Sequence, residues 1–237
     1  MSDVKTKPLG RKAYGSIGHL PGSRLGAGDH HVPEGQGRIC TDKVRDRHDL
    51  VIVQEKLDGS CCAAAKVEGQ IVALGRAGWL AQSSPYEQHQ LFAQWVRWQE
   101  PRFQQLLGEG ERAVGEWLAQ AHGTRYTLRH EPFVVFDLMV EDRRATGDEV
   151  VIRAARLGFR VPYLLFRGNG ACDVALAMKT LGDFGFHGAL EPVEGAVWRV
   201  ERQGKVDFLA KYVRPDKQDG IYLPEVSGKE AVWNWRP

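Results

Sequence analysis

The chain has 237 residues, 43 % hydrophobic and 26 % charged, enough apolar material for a packed core in one large domain or two small ones. A net charge of +2 announces no nucleic-acid partner in bulk, so any such surface has to be a local patch. No apolar run nears the roughly 20 residues that cross a bilayer, and the start Met1-Ser2-Asp3-Val4-Lys5 lacks a signal peptide's apolar stretch. The cysteines (Cys40, Cys61, Cys62, Cys172) have no C-x-x-C spacing, which reads as reduced thiols and a cytoplasmic location.

Residues 1–37 are rich in Gly, His, Pro and Ser without periodicity, which predicts an irregular arm with one strand near residues 14–17. Leu50-Val51-Ile52-Val53 is a short β-branched run, a buried strand that leads into Gln54-Glu55-Lys56-Leu57-Asp58-Gly59-Ser60. Residues 61–67 and 70–74 read as a hairpin about Glu68-Gly69. From 86 to 100 the spacing turns helical, with Leu91, Trp95 and Trp98 on one face as core packing. Strands follow at 112–117 and 133–140. A helix over about 147–157 has Asp148 as its cap, and a second helix over 173–181 carries Val174, Met178 and Leu181 on one stripe. The last strands fall at 196–201 and 206–212. Hairpin-like connections argue for antiparallel sheets, and the class is α+β.

Several residues along this series carry chemistry. Lys56 is an amine held rigidly where a buried strand meets a Leu-Asp-Gly turn. Arg76, in Gly75-Arg76-Ala77-Gly78, sits in a glycine-flanked turn suited to phosphate contact. Glu116 ends one strand with a carboxylate, and the 133–140 strand sets Phe136 beside Asp137. Glu194-Gly195 precedes a strand, and Lys211 lies near the end of the next. Arginines 143, 144, 153, 156, 160 and 167 form either a basic patch or a solvated face. His30, His31 and Cys40, in a glycine-rich arm, do not make a zinc site.

In this order the elements resemble the covalent nucleotidyltransferases, the superfamily of RNA ligases, DNA ligases and mRNA capping enzymes. Lys56 to Gly59 is similar to motif I, Arg76 to motif Ia, Glu116 to motif III, Phe136 with Asp137 to motif IIIa, Glu194-Gly195 to motif IV and Lys211 to motif V. Glu55-Lys56-Leu57-Asp58-Gly59-Ser60, Gly115-Glu116-Trp117-Leu118 and Tyr14-Gly15-Ser16-Ile17 resemble the ATP-dependent RNA ligase branch most. The resemblance covers residues from about 50 to 215. Motif V usually has two lysines one residue apart, and Leu209 and Val213 stand at that spacing here. Either Arg214 or Lys217 compensates, or the alignment slips.

The resemblance implies a nucleotidyltransferase (ATP-grasp-like) fold of antiparallel sheets flanked by helices, with an arm over 1–40 and a catalytic domain over 41–237. An oligonucleotide-binding or helical C-terminal domain is not expected in the short stretch after Lys211. It further implies that Lys56 attacks the α-phosphorus of ATP and carries AMP, with Lys211 and Arg76 as catalytic partners. A free lysine titrates near 10.4, and a nearby cation with partial desolvation lowers that value. Mg²⁺ (or Mn²⁺) would be held by Asp58, Glu116 and Glu194 with several waters; Glu116 has the ribose as an alternative contact. Phe136 would stack on adenine, Glu55 would accept from its amine, and Arg76 would reach ribose, phosphate or a 5′-phosphate end. The expected partner is nucleic acid, RNA ahead of DNA, with a protein partner as one substitute for the missing domain. DNA nick sealing, GTP-dependent capping and a non-catalytic nucleic-acid binder of the same fold are the alternatives.

Overall fold

The computed structural model describes residues 7–237, so the opening stretch read for a leader lies outside the described residues. In chain order, the arm carries β1 (Gly18–His19) and α1 (Glu34–Thr41). Strand β2 (Asp49–Lys56) ends on the lysine, followed by β3 (Ser60–Val67) and β4 (Gln70–Gly75). Helices α2 (Glu87–Trp98) and α3 (Glu100–Leu106) lead to β5 (Glu111–Trp117), β6 (Phe133–Val140) and β7 (Arg143–Arg144). Then come α4 (Gly147–Arg156), β8 (Leu164–Gly168), α5 (Val174–Leu181), β9 (Gly195–Arg202), β10 (Lys205–Val213) and the short α6 (Pro224–Ser227).

The central strands and α2, α4 and α5 fall where the periodicity predicts, and the class is α+β with mostly antiparallel sheets. The β3–β4 turn places Glu68 and Gly69 at φ 51° and 75°, the left-handed pair of a tight hairpin turn. Four expectations are corrected. The arm's strand is β1, not residues 14–17. Residues 34–41 are helical although two glycines weaken the pattern, because Cys40 packs fully into the core. Trp98 is 49 % exposed, whereas Trp95 on the same helix is buried. The cap of α4 is Thr146, whose side chain accepts from Glu149 N–H, not Asp148.

The chain forms two compact units. One comprises the N-terminal segment to Gly15, Ser60–Ala119 and Glu131–Val161; the other comprises Ser16–Gly59, Gln120–His130 and Pro162–Pro237. The first holds a five-stranded sheet in the order β4-β3-β5-β6-β7. Its core is aromatic: Trp95, Phe92, Trp117, Phe133, Phe103 and Phe159 meet ring to ring at centroid distances of 4.9–6.5 Å. The second holds a five-stranded sheet in the order β1-β10-β9-β2-β8, with β1 parallel to β10. Val51, Val53, Ala196, Trp198, Val200 and Ala210 pack from three adjacent strands against Leu20, Cys40, Cys172 and Ala177. Because side chains alternate along a strand, this core face leaves Lys56 and Lys211 on the opposite face. All four cysteines are free, and among the described residues no helix is long and apolar enough to cross a membrane.

Candidate active site

The strand–turn junction at Lys56 is built within the second unit. Lys56 is the last residue of β2 and pairs in register with Gly195, the first of β9. Glu194, one residue earlier, is thereby brought across, and Lys56 Nζ donates to Glu194 Oε2 at 2.5 Å. Side-chain exposures of 21 % and 11 % make this a largely sheltered pair. Glycine is required at 195: a Cβ there would stand 1.9 Å from the Tyr212 carbonyl oxygen. Burial pushes the Glu194 carboxyl above its ordinary range; the charge of Lys56 opposes the shift, and that of Asp58 adds to it.

Asp58 is held by a loop that the sequence reading passed over. Its Oδ2 accepts from Gly123 N–H at 3.1 Å, Thr124 Oγ1 at 3.1 Å and Lys217 Nζ at 2.9 Å. Lys217 donates also to the Gly123 carbonyl at 2.9 Å and to Thr124 Oγ1. The Asp58 N–H donates to Tyr126 Oη at 3.1 Å. Tyr126 is buried, which holds its hydroxyl protonated well above the usual tyrosine range. Gly123 must be glycine, because a Cβ would lie 2.3 Å from the Gln218 carbonyl oxygen. The available signal was His122-Gly123-Thr124, a small polar segment soon after the strand bearing Glu116. Of the residues considered as the second motif V cation, Lys217 is tied to Asp58, while Arg214 pairs with Asp216 and Asp183.

Lys211 lies on β10 with its side chain 16 % exposed, 3.4 Å from Asp29 Oδ1. Burial and then the charge of Lys56 lower its pKa, and Asp29 works against both. Glu55 is placed away from these groups. It follows the core-face alternation of Val51 and Val53, so its carboxylate lies on the face opposite Lys56. Oε2 accepts from Phe186 N–H at 3.0 Å and Oε1 is buried without a hydrogen-bond partner. Burial raises its pKa to about 7.

Arg76, Glu116 and Phe136 belong to the other unit. The Arg76 turn is pinned by its carbonyl, which accepts from Ala13 N–H and Tyr14 N–H, and its exposed guanidinium donates to Gly15 O at 3.3 Å. Gly78 is glycine because φ is +88° and a Cβ would meet the Arg11 carbonyl. Glu116 lies on β5 between Cys61 and Val134. The register of β5 against β6 steps from Val114↔Asp137 to Gly115↔Val135, so Phe136 is the extra residue of a bulge. That bulge leaves the Phe136 ring half-buried, edge-on to Tyr14 at 5.1 Å. Its neighbour Asp137 is fully buried and pairs with Arg144 and the Tyr14 hydroxyl. Two arginines considered for a basic patch are thus committed inside the unit: Arg144 to Asp137, and Arg153 to Glu111 and Glu149.

The fold and this junction define a class, an α+β protein that offers a strand-end lysine flanked by acids and a second lysine. The family model for RNA ligases matches residues 49–213, from the first residue of β2 to the last of β10, and the chain belongs to the RNA ligase family. Among curated proteins, none matches at the level of sequence. Solved structures of the Naegleria gruberi ligase share the fold. A lysine-to-alanine variant of the Naegleria gruberi RNA ligase with ATP and Mn is 17 % identical, with a TM-score of 0.55 over 90 % of this chain and 61 % of that one. The same ligase with PPi is 16 % identical, with a TM-score of 0.54 over 90 % and 62 %. An archaeal ATP-dependent RNA ligase is 21 % identical, with a TM-score of 0.46 over 70 % and 42 %. The chain therefore spans between 42 % and 62 % of the length of these ligases.

Proposed function

We propose that this chain is an ATP-dependent RNA ligase in which Lys56 takes AMP from ATP and passes it to a 5′-phosphate, which a 3′-hydroxyl then displaces. The observation that carries the reading is Lys56 Nζ, sheltered at the strand end 2.5 Å from Glu194 and within the field of Lys211. In the first step the Lys56 nitrogen forms a bond to the α-phosphorus, the bond to the bridging oxygen breaks, pyrophosphate leaves with that electron pair, and the amine gives up its proton. Lys211 would neutralise α-phosphate oxygens, since charge on a transferring phosphoryl group is stabilised mainly by fixed cations. The resemblance further assigns Phe136 to adenine stacking, Arg76 to ribose, phosphate or the 5′-phosphate end, and Glu55 to the adenine amine. For Glu55 this contact would have to use the backbone or a rearranged side chain, because the carboxylate faces the core.

Asp58 and Glu194 fit a divalent cation. They are all-oxygen donors that each already face an ammonium, Lys217 for Asp58 and Lys56 for Glu194, so positive charge is already favoured where a hydrated cation would sit. Glu116 is proposed as a third carboxylate. Among the described residues no group of three or more His, Cys, Asp or Glu side chains is gathered as a ready-made metal cage, so the ion would keep much of its water. When bound, Mg²⁺ or Mn²⁺ supplies positive charge to the phosphates.

The test is to incubate the protein with Mg²⁺ and ATP or GTP and weigh the denatured chain. One AMP is expected with ATP, absent in Lys56→Ala and nearly absent in Glu194→Ala. An adduct that persists in Lys56→Ala would overturn the nucleophile, and no adduct with either nucleotide would favour a binder of the same fold. Sealing assays on nicked RNA, DNA and hybrid duplexes decide the polymer, with RNA expected to be sealed best.

A further inference from the structure

The arm brings a carboxylate to Lys211. Strand β1 pairs parallel to β10 with His19 opposite Lys211, so their side chains leave the sheet on the same face. His19 is 1 % exposed, and its Nδ1 lies 2.6 Å from Ser23 Oγ while its Nε2 stands 3.1 Å from Asp29 Oδ2. Asp29 Oδ2 also accepts from Gly26 N–H at 2.9 Å. The opposite oxygen, Oδ1, is the one that faces Lys211 Nζ. His19 Nε2 is buried without an aligned hydrogen-bond partner, so its approach to Asp29 is a packing and charge contact. The Gly26 amide holds Asp29 by a hydrogen bond, and Asp29 in turn faces the Lys211 ammonium from the side of the arm. Backbone bonds lock the arm in place: Leu20 N–H donates to Lys211 O, Val32 N–H to His19 O, and His19 N–H to His30 O.

Resting on the ligase reading above, we propose that Asp29, held by the Gly26 amide and packed against His19, is a positioning residue that holds Lys211 in place for the nucleotide phosphate. Two lysines share this sheet face, and the proposed chemistry asks opposite things of them: Lys56 has to lose its charge, Lys211 has to keep it. Burial and the proximity of Lys56 both work against a charged Lys211; Asp29 offsets them by charge and hydrogen bond, and Glu194 adds a smaller contribution by charge alone. Lys56 faces Glu194 instead, a carboxylate that would release it once the proposed metal or the proton of the amine takes that oxygen. The arm therefore contributes to the phosphate site without touching substrate.

Single-turnover adduct formation over a range of ATP concentrations tests this in the full chain, with Asp29→Ala, Asp29→Asn and Asp29→Glu beside wild type and the melting temperature of each recorded. Wild-type adduct formation reports on the ligase reading, and its absence overturns that reading and this proposal together. Given a wild-type adduct, the expected result is a maximal rate lowered roughly ten- to a hundredfold in Asp29→Ala and Asp29→Asn. The ATP concentration for half-maximal rate should rise by a smaller factor, Asp29→Glu should recover most of the rate, and Asp29→Asn should melt with wild type. Asp29→Asn keeps the size and one acceptor oxygen, puts an NH2 donor in place of the other, and removes the charge. An Asp29→Asn rate equal to wild type would assign Asp29 to arm stability and overturn the proposal. So would Asp29→Asn and Asp29→Glu being equally slow, since charge at that point would then not be what acts.

Discussion

Glu55 and Lys56 are adjacent in sequence and fall on opposite faces of β2, and the difference decides what each is for. Glu55 is buried with one oxygen unsatisfied, and its pKa is raised from 4.5 to about 7. The fold favours its protonated form, so the stability it lends is complete below the unfolded value and is lost as pH rises through the folded one. Glu55→Gln keeps an acceptor for Phe186 N–H and has no charge to bury. Above pH ~7 it is expected to resist denaturant better than wild type by up to about 3 kcal/mol, with the gap closing below pH ~4.5. A gap that stays constant across that window would show that Glu55 is not held in its protonated form. Lys217 poses the converse case. Its ammonium is the buried counter-charge of Asp58, and Lys217→Met would leave that carboxylate sheltered and unpaired. A loss of about 3 kcal/mol in urea unfolding is expected, partly recovered by adding Asp58→Asn. If the second change recovers nothing, the ion pair is not what Lys217 contributes.

At the level of elements, legibility followed local pattern. Strands β2, β5, β6, β9 and β10 announce themselves by β-branched and aromatic runs, and α2, α4 and α5 by spacing. Helix α1 and strand β8 do not, because each is short, contains glycine and is stabilised by partners distant in sequence: α1 by core contacts of Cys40, β8 by pairing with β2. Gly195 was legible as part of a motif, but its reason appears only in the pairing of β9 with β10. Gly195→Ala sets a methyl against the Tyr212 carbonyl, and the strand ends have to part. A cost of roughly 3 kcal/mol is expected, with Lys56 and Glu194 no longer in register, so adduct formation should fall along with stability. Thr146→Ala removes only the α4 cap and should cost about 1 kcal/mol with adduct formation unchanged. A larger loss of activity than of stability in Thr146→Ala would tie α4 to the chemistry.

For the whole molecule, this chain spans between 42 % and 62 % of the length of the ligases it is similar to, so the test of function has to be made on this chain itself. Chelation with EDTA is expected to abolish adduct formation, and Mg²⁺ or Mn²⁺ to restore it, while the melting temperature without nucleotide stays close to its starting value, since Asp58 is already satisfied by Lys217. Adduct formation that continues in EDTA would remove the metal from the proposal. The sequence by itself determined the order of chemically distinctive residues from Lys56 to Lys211, the α+β class and the family they point to, because motif residues and strand runs are local and survive without a partner. Only the tertiary structure decided that Asp58 is claimed by Lys217 and the Gly123–Thr124 loop, that Glu55 turns inward, and that the arm delivers Asp29 to Lys211. Those contacts join residues 65 to 182 positions apart, and nothing in a linear pattern specifies which distant polar groups a sheet register will bring face to face.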